Sequence, residues 1–308
     1  MKIVHDAAYR IDIGPHVFPT AKYDSIRAAL LASGVARRAD FVRPNPAGWD
    51  ELGLVHTQTY LEKVRRGTLG PGEIARLEMP WSEPMVEGFR LMAGGTVLCA
   101  RLALAEPPSA AGAKPRLRAA AHLGGGFHHA HSDHGEGFCL FNDVALAARL
   151  LLSSGEVARV AIVDVDVHQG NGTAAILGGD PAVFTFYIHQ ENNYPAIKPP
   201  GTLDCGLDDR ADDREYLAVL AEALPRVIDF RPDLIVYVAG ADPYEQDQLG
   251  GLSLTRFGLR RRDRLVFESA REGGVPVAIV LAGGYAKRLE DTVAIHAGTM
   301  EEARLQGE

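Results

Sequence analysis

Cysteine is scarce in this chain. There are three in 308 residues (Cys99, Cys139 and Cys205), without a CxxC pair, which excludes a disulfide framework and reads as reduced thiols. Basic residues are outnumbered, 32 Lys+Arg against 40 Asp+Glu, for a formal net charge of −8. Direct nucleic-acid binding needs a basic footprint, so none is expected. No uninterrupted run of about 18 apolar residues occurs, so no membrane span is expected. The opening Met1-Lys2-Ile3-Val4-His5-Asp6 is charged where a signal peptide is apolar, and the expected location is cytoplasmic. No internal repeat is visible.

What is present is an ordinary apolar content of 46%, enough for a large core without disulfide or metal support. At roughly 150 residues per domain, the length fits two domains or one large α/β domain. Short apolar runs fall at Lys2–His5, Ala119–Leu123, Val160–Val167, Val183–Ile188, Asp233–Ala239 and Pro276–Leu281. Several are continuously apolar, as Leu234-Ile235-Val236-Tyr237-Val238 is, the pattern of strands buried on both faces of a parallel sheet. Helical patterns at about 20–33, 57–67, 83–105, 141–153, 212–230, 255–273 and 286–304 lie between and around them. The alternation predicts a single α/β domain over 1–308, an open parallel sheet with helices on both faces. Ala105–Lys114 (AEPPSAAGAK) reads as a surface connector inside that domain.

Ligands of open parallel sheets bind at the carboxyl ends of strands. Four candidate strands end in reactive residues: Gly124–His134, Asp164–His168, Asp242 and Tyr285. Strand alternation would face Asp164, Asp166 and His168 one way. Such a set repels itself unless a cation holds it, although a solvated DxD turn is the plainer alternative. Asp242, which could instead cap a helix, is the best third ligand beside Asp166 and His168. Two acids and an imidazole suit Zn(II) and can also hold Fe(II), Co(II) or Mn(II). Gly170 and Tyr244, two residues past His168 and Asp242, cannot bridge a second ion, so one metal is expected.

Eleven histidines are present, and His122, His128, His129, His131 and His134 crowd into one stretch. A structural loop explains such a cluster too. Within Gly124-Gly125-Gly126-Phe127-His128-His129 the adjacent pair suits proton transfer beside a metal-activated water. Each ring needs an orienting partner, and Asp164 and Asn171 are available. GxGxxG is absent, so a dinucleotide site is not expected. Tyr285, on a Gly-Gly turn, could stabilise an oxyanion or simply pack.

These residues resemble the zinc-dependent histone deacetylase superfamily, within the arginase/deacetylase fold. The motifs run in order: GGFHHA at 125–130, GFCLFND at 137–143, DVDVHQGNGT at 164–173, AGAD at 239–242, LGGLSLT at 249–255 and GGY at 283–285. The HQGNG form, LGGLSLT and His16-Val17-Phe18-Pro19 look most like the class IV branch and its bacterial relatives. The resemblance implies Asp166, His168 and Asp242 as zinc ligands, His129 as general base and acid, and His128 as its electrostatic neighbour. It implies Asp164 behind His128 and Asn171 behind His129, where some members carry Asp. Tyr285 would polarise the scissile carbonyl. Phe138 and Tyr194 would wall an acyl-lysine channel with Gly137 at its floor. A structural K+ or Na+ would use carbonyls of Asp164, Asp166 and His168, with Tyr187 where a small hydroxyl side chain is usual.

The implied reaction removes acetyl or longer acyl groups from Nε-acyl-lysine in a protein or peptide. The alternative is a small acylated amine such as an acetylpolyamine. Leu249 lies about where polyamine-specialised members place a gatekeeping Glu, which disfavours that alternative, while Glu245 and Asp247 nearby could attract a cationic amine.

Overall fold

The apolar runs pair side by side, all in one direction. The computed structural model describes residues 1–109 and 112–308. Its strands are β1 (Lys2–Val4), β2 (Phe41–Val42), β3 (Ala119–His122), β4 (Val160–Asp164), β5 (Val183–Gln190), β6 (Leu203–Leu207), β7 (Leu234–Val238) and β8 (Val277–Val280). They form one parallel eight-stranded sheet in the order β2-β1-β3-β8-β7-β4-β5-β6. Every residue of β4 and β7 is buried, as expected of runs covered on both faces.

The helices are α1 (Lys22–Ala32), α2 (Trp49–Leu52), α3 (Gln58–Arg66), α4 (Pro71–Leu77) and α5 (Glu83–Ala105). They continue as α6 (Asp143–Ser153), α7 (Asn171–Leu177), α8 (Asp213–Asp229), α9 (Arg256–Gly273) and α10 (Leu289–Gly307). One layer is α5 against α6 with α7 beside it, α5 lying on β1, β3 and β8. The other runs α1, α10, α9, α8, each packed on the next. Capping matches composition: Thr57, Ser82, Asn142, Asp212 and Thr255 each accept a backbone N–H at a helix start.

Register explains why four loops meet. Asp164 pairs with Val238, Val238 with Val280, and Val280 with His122, so β4, β7, β8 and β3 end in one row. β3 and β4 are consecutive in the chain but separated in the sheet by β8 and β7. The chain therefore switches direction above the middle of the sheet, where open α/β folds bind ligands.

Some expectations need correction. The strand expected over Val160–Val167 ends at Asp164. The Asp164 carboxylate accepts the Asp166 N–H at 3.2 Å, and Asp166 accepts the His168 N–H at 3.0 Å. These local bonds turn the chain off the sheet, so strand alternation is not what aims Asp166 and His168. β2, β6, α2, α4 and α7 are too short, or in β6 too exposed, to have shown a pattern. α5 is long and apolar enough to cross a membrane by length and composition. Glu87, Arg90 and Arg101 interrupt it, so it shows no unbroken apolar run, and its buried side packs on the sheet. The connector expected at Ala105–Lys114 includes residues 110 and 111, which lie outside the described residues.

Candidate active site

The loop after β3 must run tight against its neighbours. Gly125 and Gly126 take φ of +72° and +83°, and a Cβ on Gly126 would lie 2.6 Å from Ala282. The first residue of α6 holds this loop. The Asp143 carboxylate accepts the N–H groups of Gly126 (2.9 Å) and Phe127 (2.7 Å) and the Thr96 hydroxyl. His128 and His129 follow directly.

Asp166, His168 and Asp242 converge beyond β4 and β7, with one ligand atom from each within 4.8 Å of the others. His168 Nδ1 lies 3.1 Å from Asp166 and 3.5 Å from Asp242. Asp166 also accepts the Gly283 N–H, and Asp242 Oδ1 accepts the Val167 N–H. Asp242 Oδ2 is buried with no hydrogen-bond partner among the described residues. Burial and the charge of Asp166 push the Asp242 carboxyl up to about 7. Burial would lower the His168 imidazole, but Asp166 and Asp242 raise it to about 10. An unpartnered inward oxygen, a second carboxylate and an imidazole form a donor set that a divalent cation satisfies.

The two adjacent histidines sit in opposite electrostatic states. His128 Nδ1 lies 2.7 Å from Asp164 Oδ2, with both side chains buried. Burial would lower His128, yet Asp164 and Asp166 raise it to about 9. His129 is lowered well below the usual range by burial and by its neighbours His128 and His168. Its Nδ1 lies 2.7 Å from Asn171 Oδ1. One ring is thus held as imidazolium and the next as neutral imidazole, a division that assigns acid and base roles.

A cavity of about 220 Å³ opens over these groups. His128, His129, Asp166, His168 and Tyr285 line it, together with the expected channel residues Gly137, Phe138, Tyr194 and Leu249. A Cβ on Gly137 would sit 3.0 Å from His129 and 3.2 Å from Tyr194, so glycine leaves the floor open. The Tyr194 ring stands edge-on to His129, with centroids 5.0 Å apart, and Phe138 stands edge-on to Tyr285 at 5.9 Å. Burial, with the charges of Asp242 and Asp166, raises the Tyr285 phenol well above its usual range, so it stays a proton donor.

Asp247 departs from expectation. It is buried and accepts the N–H groups of Leu249, Gly250 and Tyr285. It shapes the loop rather than offering charge at the rim. Glu78, exposed and lining the cavity, is the carboxylate found there.

Sequence reasoning missed several site residues. Lys22 is fully buried, donates to the Ala282 carbonyl at 2.7 Å and lies 5.9 Å from the Tyr285 ring. Desolvation lowers it to about 8 against the pull of Asp242 and Asp166. Only a contact between residues 260 apart in sequence puts it there. Asp143, the last residue of GFCLFND, and Glu136, just before that motif, were given no role. His131, His134 and Glu136 form a second donor trio within 4.8 Å. Hydrogen bonds already engage its atoms: Asn171 Nδ2 donates to His131 Nε2, and Glu136 Oε1 accepts from Asn171 and Tyr194.

Comparison with known proteins identifies the family and the fold. Residues 16–300 match the family model described as a histone deacetylase domain. An uncharacterized protein of Picosynechococcus is 40% identical over 290 residues, spanning 94% of this chain and 93% of its own length. Histone deacetylase 2 of Arabidopsis thaliana is 29% identical over 325 residues, spanning 100% of this chain and 79% of its own. The crystal structure of the HDA15 HD domain superposes with a TM-score of 0.77 at 23% identity, covering 100% of this chain and 92% of that one. That structure shares the fold.

Proposed function

The chain belongs to the histone deacetylase family and is a deacetylase of that kind, and from this premise we propose that it is a zinc-dependent hydrolase removing acyl groups from Nε-acyl-lysine. The observation that carries the reading is the His128–His129 pair, held by Asp164 and Asn171, lining the same cavity as the Asp166–His168–Asp242 donor set.

Asp166, His168 and Asp242 would hold the ion. When bound, zinc supplies the Lewis acidity that makes water nucleophilic near neutral pH. His129 Nε2 takes the proton of the attacking water and returns it to the departing amine. His128, charged through Asp164, places positive charge beside the oxygen that becomes anionic, and the Tyr285 hydroxyl donates to that oxygen. Gly137, Phe138, Tyr194 and Leu249 exclude water around the acyl-lysine methylenes. Fe(II) suits the same donors. Backbone carbonyls of Asp164, Asp166 and His168 would take a structural K+ or Na+. A class IV-like assignment rests on HQGNG and LGGLSLT, and three free cysteines fit a cytoplasmic, reducing location. The acidic balance supports a cationic lysine-bearing protein or peptide as partner over nucleic acid.

Replacing Tyr285 by Phe should cut kcat on acyl-lysine peptides by about 10²-fold with zinc content unchanged. Full turnover in that variant would remove the phenol from the reaction. Glu78 at the mouth favours a second reading, a small acylated amine whose cationic end meets that carboxylate. Rates on acetyl-lysine peptides and acetylspermidine separate the two, and a strong preference for the polyamine would sink the first.

A further inference from the structure

Asn171 is the least expected member of the site, because a neutral amide stands where a carboxylate would hold His129 most firmly. Its surroundings supply the missing charge one residue farther out. Asn171 Nδ2 donates to Glu136 Oε1 at 2.7 Å and to His131 Nε2 at 3.1 Å. Glu136 can only accept, so the amide atom facing it is the NH₂ group, and the atom facing His129 is the oxygen. An oxygen 2.7 Å from His129 Nδ1 requires the proton on Nδ1, which leaves Nε2 with its lone pair in the neutral ring. The same Glu136 Oε1 accepts the Tyr194 hydroxyl at 2.8 Å, and Glu136 Oε2 lies 3.2 Å from His134 Nε2.

We propose that Glu136 is a positioning residue for His129: it fixes the Asn171 amide, holds the Nδ1–H tautomer and supplies negative charge at one remove. Partial burial would raise this carboxyl, but Tyr194, Asn171 and His134 hold it below its usual range. The chain His129–Asn171–Glu136 is therefore the counterpart of His128–Asp164, with an amide spliced in. Because Tyr194 shares the carboxylate, the channel wall and the base are oriented by one group.

The inference rests on the deacylase reading only for its kinetic arm. Glu136→Gln keeps the acceptor for Asn171 and Tyr194 and removes the charge, giving up only the acceptor that faces His134 Nε2. In the full-length zinc-loaded enzyme, kcat on an acetyl-lysine peptide should fall about tenfold, within the range for partners that orient a site residue, with KM unchanged. In uniformly ¹⁵N-labelled protein the His129 Nδ1–H proton resonance should move upfield. Adding Asn171→Asp to Glu136→Gln puts a carboxylate directly on His129 and should restore both. Asn171→Asp alone sets that carboxylate against Glu136 and should be slower than the double variant, a coupling that a merely structural role would not give.

An unmoved resonance with unchanged kcat overturns the proposal. So does a fall in kcat that Asn171→Asp does not rescue, or a rise in KM with the resonance in place, which assigns Glu136 to the channel wall alone. Should Glu136→Gln fail to fold, Asn171→Asp alone decides, and a variant faster than wild type overturns the proposal. A wild type inert on acyl-lysine peptides would defeat the deacylase reading while the resonance still reports on Glu136.

Discussion

Gly283 tolerates no side chain. A Cβ there would collide with Asp242 Oδ2 and lie 2.7 Å from Asp166 Oδ2, while its N–H donates to Asp166 at 2.8 Å. The residue thus positions one carboxylate of the donor trio and leaves room for another. Gly283→Ala should displace Asp242, and zinc retained after gel filtration should drop about tenfold, as when a group orienting a metal ligand is lost. Gly298, in α10, has open space where its Cβ would stand. Gly298→Ala should retain zinc and gain up to about 1 kcal/mol from helix propensity. Equal zinc retention by the two variants would show that the close approach at Gly283 does not govern the donor set.

The beginning of α6 does for the histidine loop what Gly283 does for the metal donors. Asn142 caps the helix by accepting the Ala145 N–H at 2.8 Å, and its amide donates to the Ala130 carbonyl at 2.9 Å. Asp143 takes the two loop N–H groups before the histidines. Asp143→Ala would leave both donors buried and unpaired, a loss of about 3 kcal/mol read as a lower urea midpoint. Turnover should fall further than stability accounts for, because His128 and His129 lose their fixed approach. A variant of unchanged midpoint would mean that the loop holds itself. Much at this scale was legible, because β7 must be continuously apolar to lie between two layers and the loop motifs carry their chemistry in residue type. The donor set Asp166–His168–Asp242 was also readable, although strand alternation was the wrong reason for it. Local carboxylate-to-backbone bonds aim those side chains. Glu136 and Lys22 were hidden because their roles exist only after distant segments meet, and α7 was hidden because seven residues show too little periodicity.

Across the whole molecule, two buried histidines outside the donor set contribute to the acid limit of the fold. His56 Nε2 accepts the Asn142 N–H at 3.0 Å while Nδ1 donates to the His131 carbonyl at 2.9 Å, so the ring is neutral by geometry. His122 is constrained in the same way. Thr96 gives its hydroxyl proton to Asp143 and can only accept from His122 Nδ1, leaving Nε2 to accept from Tyr9 at 2.7 Å. Burial lowers His56 to about 4 and His122 to about 3. Both lie below the unfolded value of about 6.5, so the unfolded chain binds the extra protons first. Their contribution is complete above pH 6.5 and is lost as the pH falls toward the folded values, at up to about 1.4 kcal/mol per pH unit for each ring. His128, raised to about 9, acts in the opposite window: its contribution is complete below the unfolded value and fades as the pH climbs toward 9. Between pH 6.5 and about 4.5 His56 and His122 therefore add to the slope, together with the buried neutral His129 and His296. Calorimetry should show Tm falling steeply over that interval. His122→Gln keeps a donor and an acceptor without a titrating proton, and should lower Tm at neutral pH yet make the slope shallower. Parallel slopes for wild type and variant would remove His122 from the acid response and leave His56 and other groups to account for it.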